Sequence, residues 1–333
     1  MNLSAGPLGG LYLLFYVIKR FIQMLIVIAI VATIVFIFVN MLGDPAVLLL
    51  PPEASPEELA KARAAMGLDR SPWEQYKLFV VNVLHGDLGN SFVFREPAMK
   101  LIFERMPATL EIVVLAMFIA ALIAIPLGVY VGAHPNTFVS RSILSLSLLC
   151  ISMPTFWFGI VLILVFAVQL GWLPSSGRGD VVVVWGMRLS FLTLDGIKHI
   201  ILPAITLAVQ QLATQLRLTR AGMMEVLRQD YIKFAKAKVV SPNDVLYGHA
   251  LKNALIPVIT VYGLEFGGLI VFATITETIF AWPGMGKLLI DSINISDRPV
   301  IIAYLMLASM LFVVINFIVD ILYTIVDPRI DLR

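Results

Sequence analysis

Residues 21–42, FIQMLIVIAIVATIVFIFVNML, contain no charged side chain over 22 positions. At about 1.5 Å of rise per residue, such a run as a helix spans roughly 33 Å, one bilayer hydrocarbon core. Five more runs repeat the pattern. Residues 108–132 carry only Glu111, residues 142–170 carry no charge, and residues 199–216 carry no Lys, Arg, Asp or Glu. Residues 256–280 carry Glu265 and Glu277, and residues 300–326 carry Asp320. Hydrocarbon offers no partner to backbone N–H and C=O groups, so runs of this length must satisfy them internally as helices. The sequence predicts an all-α membrane protein with six transmembrane helices.

Composition excludes most other classes. Only 14% of the 333 residues are charged, against about 25% in soluble domains, and the mean hydropathy is +0.93. The bulk of the chain is therefore not a soluble enzyme. A net charge of +2 gives no basic field for nucleic acid. The lone Cys150 excludes an internal disulfide and a cysteine metal cluster. His85, His134, His199 and His249 are scattered, with no HExxH pair, and no G-x-S-x-G occurs. The segment Ala281–Leu288 lacks the first Gly and the final Ser/Thr of a phosphate loop. The sequence thus offers no catalytic residue, no metal ligand set and no cofactor site of its own.

Lys19 and Arg20 sit directly before the first run as an anchor rather than as part of a cleaved signal. With six spans both termini share one side. The Lys and Arg count on the two sides is 12 against 12, but the loop 43–107 holds 7 of the second set. Loops this long cross the membrane largely regardless of charge. Without it the count is 12 against 5, which puts both termini in the cytoplasm.

The chain divides into an N-terminal tail and first span (1–42), an outer loop cap (43–107), a five-helix core (108–326) and a cytoplasmic tail (327–333). In the cap, Ser55, Pro56 and the acids after them mark a helix start, and Gly67 marks its end. A second helical stretch covers 72–86. These predict a small helical layer on the outer face, as a docking surface for an external protein or as interfacial amphipathic helices. Within the core, the cytoplasmic loop 217–255 is rich in Lys and Arg. Its helical periodicity runs through MMEVLRQDYIKFAKAK, breaks at Ser241-Pro242 and resumes in NDVLYGHALKNALIP.

The same residues carry a resemblance. Asp230-Tyr231, Ala235-Lys236-Ala237-Lys238 and His249-Ala250-Leu251-Lys252-Asn253-Ala254 with Ile256-Pro257 resemble the cytoplasmic coupling motif of ABC importer permeases. The dipeptide/oligopeptide (peptide/nickel) branch is the nearest. His85-Gly86-Asp87-Leu88-Gly89 with Ser91, Pro107–Glu111 and Ser152–Trp157 are similar to other segments of that branch. So are Thr276–Phe280, Trp282–Gly286 and Asp327-Pro328-Arg329. The matches run from about residue 40 to the C-terminus.

The resemblance implies a multi-pass permease subunit in the cytoplasmic (inner) membrane of a prokaryote. Its implied partners are a second homologous permease subunit, two cytoplasmic ATPase domains carrying ATP and Mg, and an external substrate-binding protein. It also implies that Ala235, Lys236, Ala237, Lys238, Val239, Ser241, Pro242 and His249 form the ATPase-coupling segment. The chain has Val239 where the family usually has glycine at the turn after the A-x-A-K run. A β-branched residue resists the positive φ that glycine permits. Either Ser241-Pro242 remodel the turn, or the subunit engages its ATPase differently. The implied cargo is di- or oligopeptides. Nickel chelates or short oligosaccharides fit the same architecture, and an ATP-independent channel or ion-coupled carrier is the rival of another class.

Polar residues inside the spans supply the remaining candidates. Thr206, Gln210 and Thr214 recur every four residues, with Gln211 and Gln215 adjoining. Polar side chains in hydrocarbon face a wet path or a neighbouring helix, so this stripe is a candidate wall of the translocation path. Glu265, near mid-span, is a candidate contact for a substrate amine, a partner for a basic group, or a protonated acid. Glu111 and Glu277 lie near the outer ends of their spans, where they reach interfacial water or cap neighbouring helices. Glu277, Trp282, Pro283 and Gly284 are read as an outer gate, with Trp282 at the interface. Gly128-x-x-x-Gly132 and Gly263-x-x-x-Gly267 predict close helix contacts, and Pro154 predicts a break in the third span.

Overall fold

The computed structural model describes residues 7–41, 46–47, 50, 54–65, 67–238, 241 and 243–326. Its helices are α1 (Pro7–Met41), α2 (Pro56–Ala65), α3 (Pro72–Leu84), α4 (Ala98–Ala133) and α5 (Phe138–Ser152). Next come α6 (Thr155–Gln169), α7 (Leu194–Val226), α8 (Asp230–Ala237) and α9 (Asp244–Ile279). The last two are α10 (Met285–Asn294) and α11 (Arg298–Val326), and one hairpin pairs β1 (Val182–Val184) with β2 (Met187–Leu189).

Local sequence explains the helix starts. The Ser55 Oγ accepts from Glu58 N, while Glu58 Oε2 accepts from Ser55 N at 2.8 Å. Ser71 and Glu74 repeat this reciprocal cap ahead of Pro72. Thr137 and Thr193 cap α5 and α7 through Ser140 N and Gly196 N. Each side-chain oxygen satisfies an amide that has no helical partner. The two-helix outer layer is as the sequence predicts.

Among the described residues, five helices are long and apolar enough to cross a membrane, and α5 with α6 makes a sixth crossing only as a broken pair. Packing shows that it does cross. Glu111, early in α4, meets Ser190 just before α7, while Gly128 and Gly132, late in α4, lie against Thr219 and Met223, late in α7. The two helices therefore run in the same direction, and the chain between them must return. The return is bent by 102° at Met153-Pro154, where proline lacks an N–H and clashes with the preceding turn. α7 and α9 run antiparallel, since Gly222 meets Ala254 while Gly159 joins Thr206 to Phe280. α9 and α11 do likewise, through Gly263 against Val319 and Gly267 against Phe312. Arg20 pairs with Asp320 at one end of α1, and Ala32 and Val35 pack with Met306 further along. Six crossings with both termini on one side follow.

Several boundaries differ from the sequence reading. α4 begins at Ala98, so residues 98–107 form its first turns rather than loop, with Pro107 inside the helix. α7 extends beyond 216 to Val226, and the cytoplasmic helical run is interrupted at 227–229 before α8. Helices continue past the hydrocarbon because their backbone bonds are already satisfied, whereas hydropathy marks only the buried length.

The core lies among α4, α7, α9 and α11, and includes Ile112, Ala116, Ala120, Ala208, Ala273 and Ala303. Alanines recur among them because helices in lipid associate by close packing. α1 stands at the edge, with Ile22, Ile26, Ile30 and Ile34 exposed.

Candidate functional site

The cytoplasmic end is built from α8 and the start of α9. Ile232 of α8 and Val245 and Ala250 of α9 are buried against Met223 and Val226 of α7, Val129 of α4, and Ala254. This apolar cluster ties the short helix to two membrane-spanning ones. The Asn253 Nδ2 donates to the Tyr231 hydroxyl at 2.6 Å, joining α8 to α9. Ser241 Oγ donates to Asp244 Oδ2 and accepts from Asp244 N, which starts α9. Lys233 hydrogen-bonds Asp230 at 2.7 Å and holds its carboxyl below the usual carboxylate range.

The predicted coupling residues distribute unevenly. Ala235 is half-buried and packs inward on the apolar cluster. Ala237, Lys238, Ser241 and His249 are exposed, and Lys236 lies in α8. Val239 and Pro242 lie outside the described residues. Three aromatics on this lever are exposed: Phe234 at 69%, Tyr247 at 52% and Tyr231 at 39%. The sequence reading quoted Tyr231 but missed Phe234 and Tyr247. For Phe234 the signal was available, since with Ile232 facing inward the position two residues on faces outward on a short helix.

The outer end is a dry hydrogen-bonded network. Glu277, at the end of α9, is fully buried. It accepts from Thr109 Oγ1 of α4 and from Lys287 N at 2.9 Å. Thr109 Oγ1 in turn accepts from Met285 N at 2.8 Å. Glu277 thus caps α10 from another helix by accepting one of its first amides. Gly284 makes room: a Cβ there would lie 2.1 Å from Glu277 Oε1.

Two expectations for this end are corrected. Trp282 is not an interfacial aromatic. It is fully buried, and its indole N–H donates to the Ala108 carbonyl at 2.9 Å. The turn closing α9 folds it inward, with Ala281 at φ 45°. Pro283 belongs to the same turn, and its carbonyl lies 3.5 Å from Arg105. Glu111 does not reach interfacial water either. It accepts from Arg178 Nη2 at 2.8 Å, from Ser190 N at 2.6 Å and from Ser190 Oγ at 2.9 Å. The Arg178 guanidinium also lies over the Trp282 ring, 5.8 Å from its centroid. A buried acid needs such a partner, but nothing in the segment around Arg178 marks it as that partner.

The polar stripe of α7 divides. Thr206, Gln211 and Gln215 are buried, Thr214 is half-buried, and Gln210 is exposed. Thr206 donates to its own helix at Leu202 O. Gln211 Nε2 donates to Glu265 Oε2 at 3.1 Å, so the half-buried Glu265 is partnered by an amide. Thr206, Gln210 and Thr214 therefore differ in burial along one face, while Gln211 and Gln215, about 100° further round the helix, are both buried.

Comparison with known proteins agrees with this architecture. Residues 124–332 match the family described as binding-protein-dependent transport system inner membrane component, and residues 13–113 match its N-terminal membrane component. The chain is 41% identical to the di/tripeptide transport system permease protein DppB of Pseudomonas aeruginosa, over 86% of this chain and 90% of that one. It is 39% identical to the dipeptide transport system permease protein DppB of Escherichia coli K12, over 90% and 94%. It is 38% identical to the oligopeptide transport system permease protein AppB of Bacillus subtilis, over 95% and 99%. A structure of the MetNI methionine ABC transporter superposes with a TM-score of 0.51 at 16% identity, covering 69% of this chain and 97% of that one.

Proposed function

The chain belongs to the family of binding-protein-dependent transport system inner membrane components, and from that membership we propose how its parts work. It is a multi-pass inner-membrane permease subunit. Its cargo is di- or oligopeptides, the class named for the relatives that match nearly its whole length. It pairs with a second homologous permease subunit, and each contributes half of the translocation path. Two cytoplasmic ATPase domains supply ATP and Mg, and an external binding protein delivers the peptide. The chain itself performs no chemistry.

The observation that carries this reading is the lever at the cytoplasmic end. α8 turns Ile232 into an apolar cluster shared with α4 and α7, and exposes Phe234, Tyr231, Ala237 and Lys238. A short helix clamped between two spans transmits a push at its exposed face as a rigid-body motion of those spans. Aromatic side chains set in a small-residue surface are the groups that anchor protein interfaces. Ala235 supports the lever from within, and Ala237, Lys238, Ser241 and His249 belong to the face offered to the ATPase. Lys236, Val239 and Pro242 complete the coupling segment.

The outer network serves as the fixed end of the gate. Glu277, Trp282, Pro283 and Gly284 lock α10 to α4 and α9 and hold the outer mouth in shape. Gln210, Thr214 and Glu265 line the path facing the partner permease, with Thr206, Gln211 and Gln215 behind them. The outer cap of α2 and α3 is the surface presented to the binding protein.

The test is peptide uptake, together with ATPase stimulation, in vesicles holding the assembled transporter. Phe234→Ala is expected to abolish stimulated ATP hydrolysis and uptake while the chain remains folded in the membrane. Full coupling by that variant would overturn the assignment of this face.

A further inference from the structure

A crevice of about 590 Å³ lies between the peripheral α1 and the α9–α11 pair. Along α1 it is lined by Arg20, Gln23, Val27 and Val31, and along α11 by Ser309, Phe312, Asn316 and Asp320 among others. α1 touches the core at both ends of this space. Phe21 meets Phe317 edge to face at one end, and Ala32 and Val35 meet Met306 at the other. The charged residues of its lining, Arg20 and Asp320, lie at one end only. Arg20 pairs with Asp320 at 3.3 Å, donates from Nε to the Tyr16 hydroxyl at 3.1 Å, and stacks over the Tyr16 ring. The Asn316 Oδ1 nearby is buried with no hydrogen-bond partner.

Length and position narrow the occupant. From Arg20 to Val31 a helix rises about 16 Å, close to half of a hydrocarbon core of about 30 Å. The charged end lies at the cytoplasmic side, where Lys19 is exposed beside Arg20. Arg20 and Asp320 offset one another, and among the described residues Lys19 beside them adds a positive charge at the mouth of that end. The remaining walls are mostly apolar, with Gln23, Tyr304 and Ser309 among them, and the outer face of α1 is exposed. A space one leaflet deep, mostly apolar along its body and with an added cation at its cytoplasmic mouth fits one molecule class. We propose that the crevice holds one acyl chain of an anionic phospholipid from the cytoplasmic leaflet, with the phosphate at Lys19 and Arg20. Such a lipid fills the gap that α1 leaves and fixes that helix to the core.

Two experiments on the full chain test this. The first is native mass spectrometry of the detergent-purified protein given phosphatidylglycerol or phosphatidylcholine. One phosphatidylglycerol per chain is expected to be retained, favoured about fivefold over phosphatidylcholine by the cationic end. Val27→Trp and Ser309→Phe, which fill the crevice from opposite walls, are expected to abolish retention, while Ile22→Trp on the lipid-facing side leaves it intact. Lys19→Gln is expected to bring the two lipids to parity. Equal retention of both lipids by the unaltered chain, or retention that survives both filling variants, would overturn the proposal. The second places a photo-crosslinking residue at Val27 in native membranes. A lipid adduct supports the assignment. A protein adduct shows that a partner chain fills the crevice and overturns it.

Discussion

The two ends of this helix bundle are held together by different physics. At the outer end, Glu277, Thr109 and the α10 amides form one dry network, and Glu111, Arg178 and Ser190 form another beside it. At the cytoplasmic end a small apolar cluster around Ile232 and Met223 does the work, with exposed polar pairs around it. Directional bonds in a low-dielectric site are costly to break singly and fix one geometry. Apolar contacts are non-directional and let packed helices slide. The difference separates an end that holds its shape from one suited to receive and pass on motion.

The largest test attacks the outer pair. Arg178→Met leaves Glu111 as an unpaired buried charge, and is expected to cost about 3–5 kcal/mol, read as a fall in the thermal unfolding midpoint of the purified protein. A smaller loss would mean that water already reaches this pair.

Next comes Gly284→Ala. Its new Cβ would meet the Glu277 carboxylate, and overpacking of this kind is expected to cost about 1–3 kcal/mol. Thr109→Val probes the same network from α4. Loss of its two hydrogen bonds leaves a buried acceptor and a buried amide short of a partner, at about 1–3 kcal/mol. Chemical denaturation of the two variants should rank them together, and both above any change on the exposed lever.

Gly132→Ala sharpens the comparison at the other end. Its Cβ would lie 2.7 Å from the Met223 side chain. The neighbours are the Met223 Cβ, fixed to the α7 backbone, and the Arg220 carbonyl at 3.1 Å, so overpacking is expected to cost about 1–3 kcal/mol, with a larger fall in uptake as α4 and α7 are wedged apart. The smallest stability effect belongs to Phe234→Ala. An exposed substitution is expected to stay within about 0.5 kcal/mol of the parent while uptake is lost. If it destabilised the isolated chain as much as Gly284→Ala does, the contrast between the two ends would fail.

Sequence reasoning read some of this well and some of it poorly. The glycine pairs were legible, because a residue without a side chain every fourth position has one main use inside a membrane. Gly128 and Gly132 do lie against α7, and Gly263 and Gly267 against α11. The Pro154 break was legible for an equally local reason, and so were the Ser55 and Ser71 caps. The fate of Trp282 was not. An aromatic followed by Pro-Gly after a span reads as an interfacial turn, and only the return of α10 under α4 buries it. Arg178 was missed entirely, since it lies 67 positions from Glu111 and no local pattern links them. The burial along the α7 stripe was not legible, because helical spacing groups residues by angle without saying which neighbour stands at each angle.

By itself, then, the sequence determined that the chain crosses a membrane six times as helices with both ends in the cytoplasm. Hydrocarbon forces that answer on any uncharged run of this length, and basic residues select the orientation. It also set the local starts and breaks, which depend on a few neighbouring atoms. Tertiary structure alone decided which acids are buried and by what they are satisfied, and which face of the lever is exposed. It also decided that α1 packs at the edge of the core and leaves a crevice beside it. Those outcomes depend on which helices meet and at what separation. Such facts arise from long-range packing, and no window of sequence contains them.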